Sequence, residues 1–221
     1  MPEKNNVQLV VGPISTNCWI CALDENEAAV IDPGDEADKI ILTLNKLNLF
    51  PKYILLSHGH FDHIAAAPVL KNAFDGKPQI AIHSLDADYL GENAYASHCK
   101  SIKSAMGDTS FIDALWPDGK KGLLPADILL EEGDFIGHFT VLHLPGHSMG
   151  SAAFWDKDNR VLFSGDTLFE GAYGRTDLTG GNENDMFSSL RRLFKMDPGI
   201  NVHPGHGRST TIGRESSRIL I

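Results

Sequence analysis

Apolar and polar positions in the first third of the chain fall into short runs. Val7 to Val11, Cys18 to Leu23 and Ala28 to Ile31 are β-branched or apolar stretches parted by the turn formers Gly12-Pro13 and Asp24-Glu25-Asn26, and they read as adjacent antiparallel strands. Asp32-Pro33-Gly34 closes the third run. From Asp35 to Leu47 the period changes, with Ile40, Ile41, Leu44 and Leu47 at helical spacing. Tyr53 to Leu56 predicts the next strand. A histidine-rich loop follows, then a helix from about Ile64 to Phe74 and a strand at Gln79 to Ile82.

Between Gly91 and Pro125 the periodicity weakens among scattered Gly, Ser and Pro, which predicts a long excursion such as a lid or a substrate-facing loop. Short strands return at Ile128 to Leu130, Phe139 to Leu144, Ala152 to Trp155 and Val161 to Ser164, followed by helices over Asp185 to Lys195 and Ile212 to Arg218. Strands followed by helices therefore occur twice. Hairpin-like openings at Val7 and Ile128 imply antiparallel pairing, which disfavours a doubly wound parallel sheet. The pattern predicts two packed sheets with helices outside, an αββα sandwich of α/β (α+β) class. A length of 221 residues suits one domain spanning 1–221.

Composition narrows the functional classes. A formal charge of -10, with no basic run longer than Lys120-Lys121 or Arg191-Arg192, repels phosphate backbones and anionic membranes, so neither nucleic acid nor a membrane is an expected partner. The start Met1-Pro2-Glu3-Lys4-Asn5-Asn6 is polar and has no export-signal character, and no window approaches the roughly 18 apolar residues of a spanning helix. Three cysteines are too few for a disulfide framework and suit a reducing, cytoplasmic setting. Cys18 and Cys21 have CxxC spacing, but in a strand positions three apart face opposite ways, which argues against a shared redox or metal role.

The chemistry concentrates in His58-Gly59-His60-Phe61-Asp62-His63. On an extended backbone His58 and His60 point the same way and can share a cation. Asp62 and His63, at a strand-to-helix turn, can be aimed at a neighbouring position. Three later segments each present one donor from a glycine-bracketed loop after a strand: Pro145-Gly146-His147-Ser148, Gly165-Asp166-Thr167 and Pro204-Gly205-His206-Gly207. The set comprises five histidines and two aspartates, enough for two cations with coordination left for water. His83, His98, His138, His143 and His203 lack such company and read as structural or surface residues.

These motifs resemble the metallo-β-lactamase superfamily, whose H-x-H-x-D-H hallmark stands intact at His58 to His63. Gly174-Arg175-Thr176-Asp177 and Thr211-Ile212-Gly213-Arg214-Glu215 are similar to the glyoxalase II-like hydrolases of the short bacterial type. The resemblance implies one metal held by His58, His60 and His147 and a second by Asp62, His63 and His206, with Asp166 bridging. It also implies the four-layer αββα fold. Zinc is the expected metal, with iron and manganese as the other candidates.

The activity implied is hydrolysis of a small-molecule thioester, with S-lactoylglutathione, a glutathione conjugate, as the leading substrate. Hydroxide would come from water whose pKa two cations lower from 15.7 toward roughly 7. Asp62 would orient the nucleophile and accept its proton, and Arg175 would meet a glutathione carboxylate. A structural salt bridge to a nearby acid is the competing role for Arg175. The alternative within the same fold is a persulfide dioxygenase using a single iron.

Overall fold

The computed structural model describes residues 6–116 and 123–221; the start of the chain and the Lys120-Lys121 pair lie outside them. β1 (Val7–Val11), β2 (Thr16–Ala22), β3 (Glu27–Ile31), β4 (Phe50–Leu56), β5 (Gln79–His83) and β6 (Ile128–Leu130) form one sheet in that spatial order. The alternating runs at the start pair antiparallel from β1 to β3, and β3 to β6 are parallel. The second sheet contains β7 (Phe135–Ile136), β8 (Phe139–His143), β9 (Ala152–Asp156), β10 (Val161–Gly165), β13 (Asn201–Pro204) and β14 (Thr210–Thr211). In it only β10 and β13 run parallel. β11 (Leu168–Phe169) and β12 (Ala172–Tyr173) make a small separate hairpin.

One expected pairing is overturned. The run at Ile128 opens no antiparallel hairpin: β6 lies parallel to β5, with Ala81 opposite Ile128, and antiparallel pairing of the second half starts at β7. The chain reaches β6 through a long crossover, and a crossover of that kind is what parallel neighbours require.

Helices cover the outer faces. α1 (Ala37–Leu47) buries Ile40 and Leu44 as its spacing predicts. The single helix expected over Ile64 to Phe74 is two: α2 (Phe61–Ile64) and α3 (Ala67–Ala73). At the break the Ala66 N–H donates to the Pro33 carbonyl, 3.0 Å away, and Pro68, which has no N–H to lose, sits in the first turn of α3. The excursion over Gly91 to Pro125 is not structureless where described. It contains α4 (Ala94–Met106) and α5 (Ser110–Leu115). Its helical period is muted because the buried face of α4 carries His98 and Ser101 beside Ala94. α6 (Glu183–Leu193) and α7 (Ile212–Ser216) cover the second sheet.

Three apolar clusters separate the four layers. Ile40, Leu44, Ile64 and Leu70 pack on the outer face of the first sheet. Trp19, Leu55, Phe139, Phe154 and Phe163 fill the space between sheets, and Leu142, Leu162, Met186 and Leu190 lie under α6. Cys18 belongs to the first cluster and Cys21 to the second, so their thiols do face opposite ways; burial pushes both well up from the usual thiol range. Among the described residues no helix is long and apolar enough to cross a membrane. The loops leaving β3, β4, β8, β10 and β13 converge at one rim, where the candidate donors sit.

Candidate metal centre

β4 ends at Leu56, and the next residue anchors the motif. Ser57 donates its N–H and its hydroxyl to the two oxygens of Asp32, both at 2.7 Å, so the loop is clamped to the end of β3. The Gly59 N–H donates to Asp86 Oδ2 at 2.9 Å, and a Cβ at this position would fall on the Tyr89 ring. Asp62 and His63 occupy the first turn of α2. Gly34 lies so close beneath that any side chain there would strike the Asp62 carbonyl.

The second sheet delivers the remaining donors singly. His147 follows β8 on a turn whose Gly146 has φ 141, a conformation open to glycine. Asp86 holds this turn as well, accepting from Ser148 Oγ and the Gly150 N–H at 2.7 Å each, so one buried carboxylate ties the His147 loop to the His58 loop. Asp166 stands just past β10. His206 follows β13 on a loop pinned by Asn17, whose Nδ2 donates to the carbonyls of Pro204 and Gly207 at 2.9 Å.

These elements bring all seven expected donors together. His58, His60 and His147 form one group, Asp62, His63 and His206 another, and His58, His63 and Asp166 a third, with the donor atoms of each group within 4.8 Å of one another. His60 Nδ1 lies 2.7 Å from His147 Nε2. Asp62 Oδ2 is 3.2 Å from both His63 Nε2 and His206 Nε2. Asp166 stands between the groups: Oδ1 is 3.5 Å from His63 Nε2, and Oδ2 is 3.6 Å from both His147 Nε2 and His206 Nε2.

Outer hydrogen bonds set three tautomers. Because the Ser57 hydroxyl donates to Asp32, its oxygen accepts from His58 Nδ1 at 3.0 Å. His63 Nδ1 donates to Asp32 Oδ2 at 3.0 Å, and His147 Nδ1 donates to the Arg175 carbonyl at 2.7 Å. With Nδ1 carrying its proton in each bond, it is Nε2 that is left to face inward as the donor to a cation. His58 Nε2 and Asp166 Oδ1 are buried without any hydrogen-bond partner. Buried acceptors aimed at a common space are costly unless a cation fills it, so the residues fit a metal.

Electrostatics distinguishes the groups. Burial first, and neighbouring imidazoles second, push His58 and His60 well below the ordinary imidazole range, keeping both neutral. At His63 burial acts downward, but Asp62, Asp166 and Asp32 outweigh it and push the ring well up; at His206 the bond to Asp62 and the charge of Asp166 do the same. Burial opposes ionisation of Asp62, yet His63 and His206 hold its carboxyl well below the usual range. This strongly negative setting favours a cation.

Beside the donors lies a cavity of about 350 Å³ whose lining combines His60, Asp62, His147, Asp166 and His206 with the apolar Phe61, Ile102, Ile112 and Leu178. Arg175 reaches this cavity, but its guanidinium is held by Asp177 through two bonds of 2.6 and 2.7 Å. His98, read from sequence as structural, lines the same cavity. The residues that sequence reasoning leaves out are the supports Asp32, Asp86 and Asn17. The one local signal is that Asp32 directly follows a strand and precedes Pro33-Gly34; Asp86 and Asn17 give none.

The profile of the Metallo-beta-lactamase superfamily matches residues 11–206. A Haemophilus influenzae protein named "Hydroxyacylglutathione hydrolase GloC" is 35% identical, over 95% of this chain and 94% of its own. Among solved structures, "BLEG-1 B3 metallo-beta-lactamase" superposes with a TM-score of 0.80 at 34% identity, covering 96% of this chain and 97% of that one. "TTHA1623 in a di-iron-bound form" follows at 0.77 and 35%, covering 96% and 98%. With its sheet order, its histidine-rich centre and these matches along nearly its whole length, the chain belongs to the metallo-beta-lactamase superfamily.

Proposed function

We propose that the chain is a thioester hydrolase holding two divalent cations, one among His58, His60 and His147 and one among Asp62, His63 and His206, with Asp166 shared. The observation that carries this reading is the pair of three-donor groups facing each other across Asp166, with unpartnered buried acceptors between them. Similarity to a protein named for hydroxyacylglutathione hydrolysis supports the thioester class and makes S-lactoylglutathione the leading substrate. Zinc is the proposed metal; the di-iron-bound neighbour makes iron its rival.

When bound, the cations lower the pKa of water from 15.7 toward roughly 7 and polarise the substrate carbonyl. Asp62, whose Oδ2 accepts from Thr16 Oγ1 at 3.1 Å, orients that water and takes up its proton. The water oxygen bonds to the acyl carbon, the C–S bond breaks, and the sulfur leaves as a thiolate, a good leaving group because thiols are far more acidic than alcohols. The products are a carboxylic acid and a thiol. Phe61, Ile102 and Ile112 give the cavity an apolar wall that limits water around the acyl group. Arg175 stands where a substrate carboxylate would compete with Asp177, and an exposed pair contributes only about 0–1 kcal/mol, so the exchange is cheap.

The test is metal quantification on the purified protein together with turnover of S-lactoylglutathione. Two ions per chain and cleavage, lost by orders of magnitude in folded His60→Ala, support the reading. About one iron per chain with oxygen uptake on glutathione persulfide overturns it. A β-lactam belongs beside the thioester, because one neighbour is titled a B3 metallo-beta-lactamase; faster ring opening than thioester cleavage would also overturn the substrate class.

A further inference from the structure

The segment Thr211-Ile212-Gly213-Arg214-Glu215 lies beyond the last metal donor, and the hydrolysis described above makes no use of it. The packing of α7 accounts for its first residues. The Thr211 hydroxyl caps the helix by accepting from the Arg214 N–H at 3.2 Å, and Ile212 joins the apolar cluster under α6. Gly213 donates its N–H to the Pro198 carbonyl at 2.8 Å, and a Cβ there would fall 2.8 Å from the Pro198 ring. Glu215 is different. Its side chain is 0% exposed, whereas carboxylates are almost never fully buried without a specific partner.

Both oxygens of Glu215 are taken by groups outside α7. Oε1 accepts from the Thr210 hydroxyl, and Oε2 accepts from the Gly171 N–H at 2.7 Å, 44 positions back along the chain. Arg218 Nη1 stands 3.8 Å from Oε1, beyond hydrogen-bond range. The buried carboxylate thus clamps α7 to the turn of the β11–β12 hairpin, where Gly171 has φ 75. Arg214 and Glu170 pair at 2.9 Å across the same junction, but both are open to solvent and such a pair holds weakly.

That hairpin bears on every donor the second sheet delivers. Asp166 stands just before it, with Thr167 alone between, and Ser164 Oγ at the end of β10 donates to the Leu168 carbonyl at 2.9 Å. Phe169 meets the His206 ring edge-on at a centroid distance of 6.2 Å. Past β12 the chain passes Gly174, where a Cβ would fall 1.9 Å from the Asp166 carbonyl oxygen and 3.2 Å from His147 Nδ1. The next carbonyl, that of Arg175, is the one that accepts from His147 Nδ1.

We infer that Glu215 is a positioning residue of the metal centre: by holding the hairpin turn it fixes Asp166, His147 and His206 without reaching metal or substrate. This rests on the two-cation reading above. Asp32 supports His58 and His63 from the first sheet, and Glu215 is its counterpart in the second. The role requires the reach of the two oxygens and not their charge.

The experiment reads metal affinity by competition with a chromophoric chelator on folded variants, beside melting temperature. Glu215→Gln keeps the reach, since its oxygen can accept from Gly171 while its amide donates to the Thr210 oxygen, and affinity should stay within about threefold of wild type. Glu215→Asp keeps the charge without the reach, and Glu215→Ala loses both. Each should weaken metal binding by about tenfold or more, the scale expected when a hydrogen-bonded support of the donors is lost. Ile212→Val loosens α7 on its apolar cluster but spares the clamp, so it should lower the melting temperature and leave affinity unchanged. Glu215→Asp against Glu215→Gln decides the matter even where the alanine variant does not fold. Wild-type affinity in Glu215→Asp, an equal loss in Glu215→Gln, or a matching loss in Ile212→Val overturns the inference and leaves the two-cation reading standing. A wild type that binds fewer than two ions fails that reading first and takes this inference with it.

Discussion

The two three-donor groups differ in what holds them ready. His58, His60 and His147 are all buried imidazoles, and burial keeps His58 and His60 neutral. Asp62 and His206 have side chains 23% and 26% exposed, and with His63 they depend on carboxylate charge. One group is preorganised by packing, the other by electrostatics. With cations bound as proposed, exclusion of water is expected to make the first slow to fill and slow to empty, whereas the second is expected to exchange faster with solvent and to be screened by salt.

Asp166 is the residue at which the comparison breaks most completely, since its two oxygens reach both groups. Asp166→Ala is expected to lower thioester turnover by roughly 10²–10³-fold or more and to reduce bound metal, as measured by steady-state kinetics and elemental analysis on folded protein. Full activity would show that the groups do not work as a pair. Chelator treatment sharpens the contrast: metal should leave in two phases, the faster from the half-exposed group, and His206→Ala should remove the fast phase while retaining the slow one. A single phase in the wild type would erase the distinction.

Asp32 is where the two groups share support, because one carboxylate receives Ser57 and His63 and, through Ser57, orients His58. Asp32→Asn retains the shape, and asparagine tolerates the left-handed backbone found there at φ 51. Metal affinity should fall by about 10–100-fold in both groups, the usual cost of losing an outer carboxylate, as read by competition with a chromophoric chelator. Loss confined to one group would show that the two are supported separately.

What was legible in the sequence follows from distance along the chain. His58 to His63 places four donors in six residues, and His147, Asp166 and His206 each directly follow a glycine, so local pattern finds them. The supports are not local. Asn17 reaches a carbonyl 187 positions away and Asp86 an amide 64 away, contacts that exist only after the sheets pack. The strand at Ile128 to Leu130 is legible but its pairing is not, for the same reason: three residues do not encode whether their partner runs parallel. α4 is not legible because its inward face departs from the apolar rule, with His98 and Ser101 buried beside Ala94.

The smallest effect expected concerns acid sensitivity of the half-exposed group. β13 carries His203, three residues before His206, and its ring stacks on Trp19 at 4.2 Å and 13°, with Nδ1 2.7 Å from Ser209 Oγ. Burial pushes this imidazole down to about 4 from 6.5, against a smaller upward pull from its Val202 hydrogen bond. The folded ring thus resists a proton that the unfolded chain accepts, and stability must fall as pH drops through the window from 6.5 to 4 and be unaffected by this group above it. At pH 5 the loss is on the order of 1–2 kcal/mol, a few degrees in Tm for a chain of this size. His203→Phe preserves a flat ring against Trp19 and removes the titration. Its melting temperature should therefore decline less than that of the wild type between pH 7 and pH 5, and its fast-exchanging metal should be held to lower pH. Parallel declines in both proteins would place the acid-sensitive step away from β13 and leave exposure alone to account for the faster exchange expected of the second group.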